Sequence, residues 1–331
     1  MSALLDGIRR VNRAPAILCG VWLMTMGLSL PLALAMRSMI AQHLGSSLAA
    51  DTAATGVNYD WMQEFGDQAT GLGATLKPTV IGAGAVLDNL STFIDNVHRP
   101  IVIVCAAGAY LTLWLFVAGG IMDRYARERP TRAHGFFAAS GEFFFRFLRL
   151  AVVMWIVYGF LFGYMHPWLF DDLYPRITRD VNVERTAFFM RVALYAVFGA
   201  ALAACNLIFD YAKVRAVVED RRSMLASIGA AMRFAGAHCG AAVSLYIADF
   251  ILFLVVVALY AAIAPGAGGA GLSMWLTFAL GQLYVIARLW AKLVFWASEI
   301  ALFQSRLAHA GYVARPLPRW PESPTAETIS S

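Results

Sequence analysis

Residues 100–122 read PIVIVCAAGAYLTLWLFVAGGIM, twenty-three positions without a charged side chain. As a helix the segment is about 34 Å long, enough to cross a hydrocarbon layer of about 30 Å. In lipid the backbone must satisfy its own polar groups, so such a run is helical wherever lipid surrounds it. Five other stretches have the same character: 14–36, 150–170, 188–209, 240–263 and 272–290. Each is long enough to span, and charged segments separate them. The pattern predicts an all-α, polytopic membrane protein of six transmembrane helices.

Composition agrees. Apolar residues make up 60% of the 331 and charged residues 14%, against roughly 45–50% and about 25% in a soluble domain. Mean hydropathy is +0.64. The spans use most of the chain, leaving residues 1–13 as an N-terminal segment, one membrane domain over 14–310, and a proline-rich tail over 311–331. Arg9, Arg10 and Arg13 precede the first span, whose apolar run is too long for a signal peptide and reads as an uncleaved anchor. Pro31 kinks this span or marks its outer end.

The net charge of +5 is a matter of topology rather than of nucleic-acid binding. Nineteen of the 26 Lys+Arg fall on one side of the six spans and seven on the other. By the positive-inside rule both termini are cytoplasmic, and the expected location is a bacterial inner membrane. The basic face suits anionic lipid headgroups. Segment 37–99, on the opposite side, carries six acidic and three basic residues. Its glycines and Pro78 divide it, with short amphipathic helices expected at 37–50 and 85–97. Trp61, Phe65, Leu90 and Phe93 give it enough apolar content for a small folded cap.

Spans two and three resemble spans four and five. An offset of 87 residues superposes Asp123 on Asp210, Ser140 on Ser227, Arg146 on Arg233 and Phe147 on Phe234. Two parallel span–elbow–span units would be related by an axis along the membrane normal. Within the second elbow, Val214, Val217, Met224, Leu225, Ile228, Ala231 and Ala235 follow helical spacing, predicting an interfacial amphipathic helix over 210–235. Its polar positions are Asp210, Tyr211, Arg215, Glu219, Asp220, Arg221 and Arg222, the candidate lipid or partner contacts.

Ionisable residues at membrane depth are costly and point to function. Asp249 lies in the fifth span. A hairpin centred near residue 267 brings it level with residue 286, predicting an Asp249–Arg288 pair. Arg288, Lys292 and Glu299 share one face of the sixth helix, with Tyr284 at its border. Asn206 in the fourth span is expected to bond a neighbouring helix. Trp22, Trp114, Trp155, Trp168, Trp275, Trp290 and Trp296 suit interfacial belts. The four cysteines read as small packing residues.

The six histidines are scattered, and the metal-binding, nucleophile-elbow and phosphate-loop motifs are missing. No catalytic residue, metal or cofactor is assigned. The stretch DYAKVRAVVEDRR at 210–222, with Met232-Arg233-Phe234 beyond it, resembles a segment of uncharacterised bacterial six-span membrane proteins. The arrangement over roughly 120–240 is similar to the membrane domain attached to some glycerophosphodiester phosphodiesterases, whose catalytic domain with paired carboxylates and histidines has no counterpart here. The resemblance implies six spans and no catalytic residues.

Three functions stay open on the sequence. The first is a non-enzymatic scaffold or accessory subunit, contacting lipid or another membrane or periplasmic protein through 37–99 and 210–235. The second is a transporter or lipid-handling protein with a polar cavity near Asp249 and Arg288. The third is an enzyme acting on a lipid-linked substrate.

Overall fold

The computed structural model describes residues 2–45, 47–77, 82–264 and 271–306, and no strand occurs among them. A short amphipathic helix, α1 (Ser2–Asn12), leads into α2 (Pro15–Leu44). The smaller helices α3 (Ala50–Thr55), α4 (Tyr59–Gln68) and α5 (Ala83–Ile94) follow, then α6 (Ile101–Arg127) and α7 (Ala133–Phe160). Next come α8 (Tyr174–Thr178), α9 (Glu184–Val218), α10 (Met224–Ala237), α11 (Cys239–Ile263) and α12 (Leu272–Arg306). Six of these helices are long and apolar enough to cross a membrane: α2, α6, α7 with its continuation to Thr178, α9, α11 and α12. The proline-rich tail and most of the hairpin at 266–271 lie outside the described residues.

The helices outrun the apolar stretches because the charges at their ends are paired along the helix. Arg127 binds Asp123 at 2.6 Å, Lys213 binds Asp210 at 2.5 Å and Arg215 binds Glu219 at 2.9 Å. Each pair is one turn apart and extends the helix past the last apolar residue. Pro31 likewise sits inside α2, which runs on to Leu44, so it does not end the helix. Residues 37–44, expected as part of a separate helix, belong to α2.

Burial divides the molecule into two ends. The packed end carries α1, and its core draws on Val11 and Val21, on 114–126 of α6, on Phe143, Phe147 and Leu150 of α7, on 209–218 of α9 and on 289–303 of α12. Towards the other end α2 has no buried residue beyond Val21, α6 none before Trp114, α11 none after Asp249 and α12 none before Leu289. The buried apolar side chains at that end are Leu161, Leu169, Leu194 and Phe198, between the continuation of α7 and α9, with Trp61 and Phe65 of α4. Length explains the division. From Leu272, about 30 Å of helix reaches the neighbourhood of Lys292, so the packed core begins about one hydrocarbon thickness along α12.

The continuation of α7 holds two π-helical stretches, Leu161–Met165 and Trp168–Leu173. Such widened turns concentrate at functional or strained positions. Between them His166 is buried against Phe170 and Phe198, and its Nε2 donates to the Ile94 carbonyl at 2.9 Å, since a carbonyl can only accept. The 37–99 segment is therefore fastened at both ends. At one end Trp61 Nε1 donates to His43 Nδ1 at 3.0 Å, with Phe65 stacked beside them. At the other, Tyr195 donates to Asp95 and Phe93 meets Phe162 edge-on.

Candidate functional site: a polar centre at the packed end

The predicted Asp249–Arg288 pair does not form. Asp249 is buried on α11 and accepts a hydrogen bond from Ser298 Oγ at 2.7 Å. Arg288 is exposed and lies beside Tyr284. The error is one of register. Tyr260 stacks on Tyr284 and Tyr246 meets Phe295, so α11 residue 249 stands opposite 298, ten positions beyond the expected partner. The first turns of α12 extend past the end of α11, and a hairpin centred between the two helices misplaces every level below it.

The same-face reading of α12 places its charges at successive depths. Glu299 is deepest, 2% exposed, with Asp249, Asp210 and Lys213 within electrostatic range and no hydrogen-bond partner for either oxygen among the described residues. About 10 Å along the helix sits Lys292, its Nζ 3.6 Å from the centroid of Trp114 and 5.6 Å from that of Trp296. Lys213 of α9 also lies over Trp296, at 5.7 Å. One turn beyond Lys292 is Arg288. Lys292 is approached by residues of α6, α9 and α12 and is nevertheless exposed, at the level where α12 passes from buried to exposed positions.

Trp114 and Trp296 are buried and pack edge to face in the core, which corrects the expectation that they join an interfacial belt. Trp155, Trp168 and Trp275 do face outward. Trp22 and Trp290 reach other elements, bonding Gln282 at 3.1 Å and Asn12 at 3.0 Å. Asn206 accepts from Tyr158 at 2.5 Å, joining α7 to α9 as expected. Cys19, Cys105 and Cys239 are exposed rather than packed inside, with Cys205 half-buried.

The interfacial helix 210–235 is not one element. Asp210, Tyr211 and Arg215 belong to the end of α9, where Tyr211 is fully buried in the core against Phe234. Glu219 to Arg222 form the break, with Asp220 in the left-handed region at φ 51°. Helix α10 then packs inward through Met224, Ser227, Ala231 and Phe234. Helical periodicity is real on both sides of the break, but the apolar face meets protein, not lipid. Arg146 of α7 holds the break, binding Asp220 at 2.7 Å and Glu142 at 3.3 Å.

Beneath the centre lies α1, expected only as a cytoplasmic N-terminal segment. Gly7 lets it approach α12 so closely that a Cβ there would stand 2.7 Å from the Ser298 backbone nitrogen. Arg10 is buried and bonds Asp6, the Tyr125 carbonyl, Gln304 and Glu128, at 2.8 to 3.1 Å. Gln304 in turn donates to the Ala126 carbonyl at 2.9 Å. Periodicity on eleven residues did not reveal this docking. The available signal was Asp6 and Arg10 one turn apart, with a glycine between them.

The repeat offset of 87 is matched in burial at five pairs: Met122 and Phe209, Tyr125 and Ala212, Ser140 and Ser227, Phe143 and Ala230, Phe147 and Phe234. It fails at Arg146, which is buried and ion-paired while Arg233 is exposed. At the far end, α2 and α6 line an apolar groove of about 430 Å³ that includes Leu28, Pro31, Ile101 and Cys105. Compared with protein-family models, with curated proteins and with solved structures, the chain matches none.

Proposed function

We propose that the protein is a non-enzymatic, lipid-handling membrane protein that holds an amphiphilic molecule in the space between α6, α9 and α12. One observation carries this reading. An exposed lysine and an exposed arginine stand one turn apart where the packed end of α12 gives way to helix faces that are apolar and unpacked. Polar groups at one level and apolar walls above it match a headgroup with its chains. The charge asymmetry supports a bacterial inner membrane with both termini cytoplasmic, which puts the packed end on the cytoplasmic side. The test is native mass spectrometry from mild detergent. A bound amphiphile on each chain is expected, and a chain that carries none in any detergent that preserves its fold contradicts the proposal.

A second reading, as accessory subunit or scaffold, is favoured by α5. Leu87, Leu90, Phe93 and Val97 are exposed on a segment fastened to the ends of α7 and α9. Deletion of 50–90 is expected to abolish co-purification of an envelope protein while the six-span core stays folded. Unchanged co-purification would remove this reading.

A further inference from the structure

We infer that Lys292, Arg288 and Trp114 form a binding site for a phosphate-bearing anion, and that its occupant is the headgroup of an anionic phospholipid. This rests on the lipid-handling proposal above and gives it a ligand class. The three residues supply only hydrogen-bond donors. Lys292 and Arg288 have no carboxylate partner among the described residues, and both are exposed. The nearest carboxylate on α9, Asp210, is taken by Lys213 at 2.5 Å. Glu299 lies about 10 Å further into the core and is 2% exposed. Trp114 contributes an indole N–H that has no acceptor among the described residues although the ring is buried.

A cation held over an indole is ordinarily satisfied by water on its far side. Lys292 is exposed beyond its aromatic contacts, so its remaining donors are open to an oxyanion such as a lipid headgroup carries. Phosphate fits the donors better than carboxylate does. It presents several oxygens to a point charge and to a planar guanidinium one turn away. The level is right too, since Lys292 stands about 30 Å along α12 from Leu272, at the depth of lipid phosphates. The chains of such a lipid would run back along the apolar outer parts of α6, α9 and α12.

The purified full-length protein is delipidated and titrated with phosphatidylglycerol, with diacylglycerol of the same chains, and with inorganic phosphate, binding being read by native mass spectrometry. Phosphatidylglycerol is expected to bind at least tenfold more tightly than diacylglycerol. Lys292→Gln is expected to remove that preference and Lys292→Arg to keep it, with thermal melting showing that both variants fold. Weak inorganic phosphate binding that Lys292→Gln also abolishes would support the anion site. Inorganic phosphate binding as tight as the lipid's would overturn the headgroup assignment. Equal affinity for diacylglycerol and phosphatidylglycerol, unchanged by Lys292→Gln, would overturn the anion site and leave the lipid-handling proposal standing. Absence of any bound amphiphile would overturn both.

Discussion

At the scale of single residues, three contacts stand out, two at the packed end and one at the other. Gly7 is one of the few positions where the lack of a Cβ is demanded by a neighbour, because the Ser298 backbone cannot retreat. Gly7→Ala should cost about 1–3 kcal/mol as an overpacked contact, read as a lower melting temperature in detergent. Gly20→Ala, with open space around the added carbon, should cost far less. Arg10 is buried with four partners, so Arg10→Ala strands them and should destabilise by about 3 kcal/mol, while Arg9→Ala on the exposed side should be near neutral. Asp95 makes the third contact. The Tyr195 hydroxyl holds its carboxyl below the ordinary value, against the opposing effect of partial burial. A depressed folded value means that the contact contributes fully above about pH 3.9 and is lost as pH falls through the folded value. Tyr195→Phe should therefore move the Asp95 titration upward, measured by the carboxyl carbon shift of labelled aspartate.

At the scale of elements, the two elbows share a device. Each ends a spanning helix with an acidic residue in the left-handed region, Glu128 at φ 52° and Asp220 at φ 51°. Each of these residues then accepts an arginine from another element, Arg10 and Arg146 respectively. The left-handed turn reverses the chain, and the arginine fixes the direction in which it leaves. Arg146→Ala should cost about 1–3 kcal/mol, the penalty for leaving a charge-assisted partner unmatched. Asp220→Asn should cost less, because asparagine tolerates the same backbone and still accepts a hydrogen bond. Thermal unfolding of the two variants side by side checks the order. The sequence showed the helices themselves clearly, since a charge-free run of span length has one structural solution in lipid. It showed the elbow poorly. Apolar spacing over 210–235 is continuous, and nothing in that periodicity reveals a break at 219–223 or distinguishes a protein-facing stripe from a lipid-facing one.

At the scale of the whole molecule, the six helices are packed at one end and separate towards the other, and the charged residues gather where the two regimes meet. Asp249, Lys292 and Glu299 were legible from sequence as a set, because ionisable groups near spans are rare. Their partners were not legible. Asp249 bonds Ser298 rather than Arg288 because α12 overshoots α11, and helix register across a hairpin depends on a loop whose path leaves no periodic trace. Trp114 and Trp296 were read as belt residues because tryptophan in a span usually is. Lys292 and Trp296, four positions apart, carried the contrary signal. Lys292 stands exposed at the edge of a core that excludes water. The most direct measurement is thiol labelling in a background where the four native cysteines are replaced by alanine. Lys292→Cys should react with a small, membrane-impermeant methanethiosulfonate added from the side that bears α1, and Ser298→Cys, fully buried two turns away, should not. Protection of the cysteine at 292, or equal reaction at both positions, would contradict that placement of Lys292.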